Sequence, residues 1–83
     1  MKLVYFASVR EAIGLSCEER DVPQDVRTVD DLVAWLAGHS KQHAHAFNNA
    51  TRLRFALDQE MVAGDALLGA AQELAIFPPV TGG

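Results

Sequence analysis

An α+β fold, in which a mixed sheet is covered by one main helix and followed by an extended tail, is what this chain of 83 residues predicts. Three observations carry the prediction. Segments of alternating apolar and polar residues stand near the beginning, the middle and the end of the chain, as half-buried strands require. A single strongly amphipathic helix lies between them. The sequence then closes on Phe77 to Gly83, FPPVTGG, where two adjacent prolines forbid any further regular element.

Residues 2–8, KLVYFAS, alternate so that Leu3, Tyr5 and Ala7 share one face and Lys2, Val4, Phe6 and Ser8 the other. The polar ends of the second set make it the outer face, which leaves Phe6 as an apolar residue turned towards solvent. Gly14 permits a turn, and residues 15–22, LSCEERDV, return as a second strand. Thr28 can cap the free amides of a helix, Asp30 and Asp31 suit its positive end, and Val29, Leu32, Val33 and Leu36 form one stripe. Gly38 ends that helix, and residues 42–49 add a short second helical piece. Residues 53–57 place Leu53, Phe55 and Leu57 inward, Asp58-Gln59 turns the chain, and Met61-Val62 pairs back until Gly64-Asp65. In the last strand, 73–77, Leu74 and Ile76 face one way and Glu73, Ala75 and Phe77 the other. Phe77 thereby joins Phe6 on the outside.

A chain of this length forms one core, so residues 1–77 are expected as one domain and 78–83 as its tail. Its composition, 49% hydrophobic and 22% charged, is that of a folded globule. Seven basic against eleven acidic residues give a net charge of -4, which leaves no general positive field for nucleic acid. The longest apolar run is too short and too proline-rich to span a bilayer, and no signal peptide pattern opens the chain, so the cytosol is the expected location. Cys17 stands alone, which excludes an internal disulfide, and reads as a semi-buried strand residue. His39, His43 and His45 have no third ligand that the sequence singles out, and read as a solvated helix end rather than a metal site.

The body of the chain offers no catalyst. Its glycines at 14, 38, 64 and 69 build no phosphate loop, and Ser8, Ser16 and Ser40 lack the context of an activated nucleophile. The tail therefore becomes the candidate functional group. Pro78 and Pro79 make it a stiff stalk, and its six residues reach at most about 20 Å. Gly82 and Gly83, without Cβ atoms, fit a narrow channel, and the terminal carboxylate is ionised at neutral pH and able to attack an activated phosphate.

The ending FPPVTGG, together with FASVRE at 6–11, TVDDL at 28–32 and LDQEMV at 57–62, resembles the family of molybdopterin synthase small subunits over the whole chain. The ending is the specific part; the middle is ordinary. The resemblance implies a ubiquitin-like β-grasp fold and a sulfur carrier. Gly83, presented beside Gly82, would be adenylated by a separate activating enzyme that uses ATP, converted to a thiocarboxylate by a sulfur donor, and inserted into the large synthase subunit of a heterotetramer. There it would give its sulfur to a pterin precursor. The catalytic site would lie on the large subunit, and no cofactor would be bound by this chain. The resemblance assigns partner contacts to Phe6, Met61 and Phe77, to Arg10 at their edge, and to Pro78, Pro79, Val80 and Thr81 of the tail. Two positions depart from the family pattern: Ala70-Ala71-Gln72 replaces an Asp-Gly-Asp turn, and Asp58 stands before the Gln of LDQEMV. Other readings of the same tail are a thiamine-pathway sulfur carrier, a ubiquitin-like modifier that joins Gly83 to lysines of target proteins, and an interaction module with an inert end.

Overall fold

The computed structural model describes residues 1–48 and 52–79. Five strands, β1 (Lys2–Tyr5), β2 (Cys17–Glu19), β3 (Arg54–Leu57), β4 (Glu60–Val62) and β5 (Glu73–Phe77), form one sheet in the order β2-β1-β5-β3-β4. β1 and β5 run parallel at its centre, and the remaining pairs are antiparallel, so the sheet is mixed as expected. Three helices, α1 (Ala7–Ile13), α2 (Val29–Ala37) and α3 (Lys41–Ala46), complete the described elements.

Register explains the core. Leu3 pairs with Leu74 and Tyr5 with Ile76, while Phe55 and Leu57 of β3 pair with Ile76 and Leu74 from the other side. Alternation sends all six to one face. There they join Val29, Leu32, Val33 and Leu36 of α2 and Val9 and Ile13 of α1 in one buried cluster. α2 is held at its start by a reciprocal cap: the Thr28 hydroxyl accepts from the Asp31 amide at 3.1 Å, and the Asp31 carboxylate accepts from the Thr28 amide at 3.2 Å.

The opening segment corrects the sequence-based expectation. The strand stops at Tyr5 instead of running to Ser8, because Ala7 takes a left-handed backbone (φ 51°) and the Phe6 carbonyl accepts the amides of Val9 and Arg10, which starts α1. The signal for this helix is present in the sequence: Val9 and Ile13 are four residues apart, and Gly14 closes the helix with φ 88° and its amide on the Arg10 carbonyl at 2.8 Å. The second strand is also shorter than expected, since only Cys17, Glu18 and Glu19 pair with β1. Leu53 is buried but precedes β3, and the second helical piece runs over 41–46.

Candidate functional site

The face of the sheet opposite the helices carries a row set by register alone. Cys17 pairs with Val4, Val4 with Ala75, Ala75 with Ala56, and Ala56 with Met61. The small side chains of Ala56 and Ala75 make a low floor, beside which Met61 stands 61% exposed. At one end of this floor the rings of Phe6 and Phe77 stack nearly parallel, with centroids 4.5 Å apart and planes 9° from each other. Phe6 remains 40% exposed. It reaches this position from the start of α1 rather than from a strand, and its amide donates to the Ile76 carbonyl at 3.2 Å, which ties the helix start to β5. The result is a shallow, mainly apolar depression lined by Val4, Phe6, Ala56, Met61, Ala75 and Phe77, with Gln59 and Glu73 also in its lining. A contiguous exposed apolar surface of this kind is what association surfaces present.

The tail leaves this depression directly. Phe77 ends β5, and Pro78 and Pro79 follow, half-buried beside a cleft that Ser8, Val9 and Ala12 of α1 also line. The stalk thus starts against the body. Arg54 lies opposite Phe77 in the ladder, and Arg10 is an exposed residue of α1. The structure therefore brings Phe6, Met61 and Phe77 together in one depression, while Pro78 and Pro79 line a separate cleft against α1, and Arg10 lies on the helix that follows Phe6. Val80, Thr81, Gly82 and Gly83 lie outside the described residues.

Behind the sheet is a polar cluster that sequence reasoning missed. Glu18 pairs with Leu3, so alternation turns its carboxylate inward. It accepts from the Tyr5 hydroxyl at 2.7 Å, from His43 Nε2 at 2.7 Å and from Arg20 Nε at 2.8 Å. His43 Nδ1 meets the Ser40 hydroxyl at 2.7 Å. Burial by itself would raise the Glu18 pKa, but the hydrogen bonds from His43, Tyr5 and Arg20 outweigh it and hold the carboxyl below its ordinary range. Burial, and then the hydrogen bond to Glu18, push the Tyr5 phenol up, so Tyr5 is a neutral donor at every physiological pH. His43 is only 6% exposed, which corrects for that residue the reading of the histidines as a solvated helix end, whereas His39 and His45 are exposed as expected. Its partner is 25 residues away in sequence, and no local signal points to it. Cys17 is likewise more exposed than expected, because it lies on the uncovered face beside Val4.

Comparison with known proteins gives concordant results. The profile of the ThiS family matches residues 3–83. The molybdopterin synthase sulfur carrier subunit of Escherichia coli K12 is 39% identical over 83 residues, covering 100% of this chain and 99% of the relative. The human protein of the same name is 31% identical over 86 residues, covering 100% of this chain and 93% of the relative. Among solved structures, the small archaeal modifier protein 1 of H. volcanii superposes with a TM-score of 0.73 at 28% identity, covering 96% of this chain and 97% of that one.

Proposed function

This chain belongs to the ThiS family, and from that premise we propose that it is the sulfur carrier subunit of a molybdopterin synthase. Its mixed sheet with helices on one face is a ubiquitin-like β-grasp fold. One observation carries the functional reading: the relatives that match end to end at 39% and 31% identity both bear that name. The geometry supports it, since an apolar depression sits at the root of the segment that leads to Gly83. The name of a subunit also implies a second, larger subunit as partner.

In this reading residues 1–77 dock and residues 78–83 deliver. The Gly83 carboxylate attacks the α-phosphorus of ATP on the activating enzyme, and pyrophosphate leaves. A sulfur donor at the oxidation level of sulfide then displaces AMP, which leaves a thiocarboxylate. Within the synthase the thiocarboxylate sulfur attacks a carbon of a pterin precursor and displaces an oxygen leaving group, and water then opens the acyl–sulfur bond, which leaves the sulfur on the pterin and restores the carboxylate. ATP is consumed on the enzyme that loads the chain, and the chain itself binds no cofactor. Gly82 keeps the approach to Gly83 narrow. Phe6, Met61 and Phe77 provide apolar contact, Arg10 flanks them, and Pro78 to Thr81 form the stalk.

The test is chemical. Incubation with activating enzyme, ATP and a sulfur donor is expected to raise the intact mass by the replacement of one oxygen with sulfur. Deletion of Gly83 is expected to abolish that change and sulfur transfer, with folding and large-subunit binding retained; transfer by the deleted chain would overturn the proposal. The likeness to an archaeal modifier protein favours a second reading, in which Gly83 is joined to lysine side chains. Lysine-linked adducts formed after activation, in place of the thiocarboxylate, would establish it.

A further inference from the structure

The chain carries a net charge of -4, yet its charges are not evenly spread. Arg54 is the ladder partner of Phe77, the last strand residue before the stalk. Arg52 lines the cleft that holds Pro78 and Pro79, and no Asp or Glu shares that lining. Both side chains are exposed. Neither makes an ion pair among the described residues, whereas Arg20 is held by Glu18 at 2.8 Å. Of the acidic residues of the sheet, Glu73 shares the lining of the apolar depression but opens β5 four positions before Phe77, roughly 13 Å along a strand, and Glu60 pairs with Leu57 at the far end of β3; Asp30, at the start of α2, lines a cleft with Arg54 without forming an ion pair with it.

We infer that Arg52 and Arg54 form a cationic collar at the tail root that meets an acidic rim on the large synthase subunit, around the mouth of the channel that receives the tail. The inference rests on the proposed sulfur carrier function and extends the docking surface beyond the edge residue Arg10. Reach decides what the collar can touch. Six residues separate the root from the reacting end, up to about 20 Å when extended, so arginines at the root face the rim and not the reaction centre. A polyanion such as nucleic acid does not fit, because two or three local cations face the repulsion of the whole acidic chain. A carboxylate rim does, since short-range pairing with the collar needs no favourable net charge. Segregated charge of this kind orients an encounter, and its effect falls on the association rate.

The experiment is rapid-mixing kinetics of the whole chain with the isolated large subunit, at salt concentrations from low to about 0.5 M, where screening acts within a few ångströms. The Arg52→Glu/Arg54→Glu double variant is expected to associate about tenfold more slowly at low salt, with a nearly unchanged dissociation rate, and to converge on wild type at high salt. Arg54→Gln, which keeps a long side chain on the strand, is expected to show a smaller loss of the same kind. Arg52→Lys/Arg54→Lys is expected to retain the wild-type rate. Association indifferent to charge reversal, or a deficit that persists at high salt, overturns the collar while leaving the carrier function standing. Failure of the wild-type chain to bind the large subunit overturns the partner assignment and the collar with it.

Discussion

At Glu18 a single carboxylate does the work of a small buried network. Its side chain is 9% exposed and receives hydrogen bonds from Tyr5, His43 and Arg20, which join β1, α3 and the end of β2. Truncation would leave the Tyr5 hydroxyl and the His43 ring buried with lost partners, a loss larger than that of any one bond. Glu18→Ala is therefore expected to destabilise the chain by about 3 kcal/mol in urea unfolding, and Glu18→Gln by less. The pH dependence has a definite sign. Because the folded pKa lies below the unfolded one, the Glu18 contribution is complete above the unfolded carboxylate pKa, about 4.3, and is lost as pH falls through the folded value. Stability curves from neutral pH downwards should fall more steeply for wild type than for Glu18→Gln. Parallel curves would show that the network carries no titrating charge.

Among the elements, the hairpin between β3 and β4 shows how Asp58 and the segment entering β5 belong together. Asp58 and Gln59 both take positive φ, 47° and 71°, the conformation that a two-residue hairpin of the right twist demands. Asp tolerates this backbone better than most residues. The Asp58 carboxylate then accepts the amides of Gln72 at 2.9 Å and Glu73 at 3.0 Å, while its own amide donates to the Glu73 carbonyl at 3.0 Å. The turn of one hairpin thus anchors the loop entering β5 at Gln72 and Glu73. Asp58→Asn, which keeps an acceptor and the left-handed preference, is expected to be nearly neutral. Asp58→Ala loses both and is expected to cost about 2 kcal/mol, read as a lower urea midpoint at an unchanged slope. Equal stability of the two variants would refute the anchoring role. The start of α1 follows a related logic, since Ala7 at φ 51° turns the chain so that Phe6 lies over Phe77.

For the molecule as a whole, the two sheet faces are divided between folding and the proposed docking. The helix-covered face holds the core, and the uncovered face presents Met61 and the Phe6–Phe77 stack beside the tail root. Met61 contributes little to folding because most of its surface is already in water, so Met61→Asp should leave stability within about 0.5 kcal/mol of wild type. In calorimetry with the large subunit the same variant is expected to weaken binding by tenfold or more, because it would place an unpaired carboxylate in an apolar contact. Unchanged affinity would remove Met61 from the docking surface. Among the described residues no helix is long and apolar enough to cross a membrane.

How much of this could be read beforehand follows from range. Alternation in 53–57 and 73–77, the stripe from Val29 to Leu36, the Thr28 cap and the outward placement of Phe6 and Phe77 are all local, and each is legible because strand and helix periods are written in neighbouring residues. The prolines at 78 and 79 are legible for the same reason, as a restriction on two consecutive backbone angles. α1 was hidden because an apolar run of alternating character continues through Tyr5, Phe6 and Ala7, and only the left-handed turn at Ala7 ends it. The partnership of Glu18 with His43, the stacking of Phe6 on Phe77, and the meeting of Asp58 with Gln72 were decided by the tertiary structure. Each depends on which strands lie side by side and in which register, a choice made by the burial of the whole core and not by any short stretch of chain.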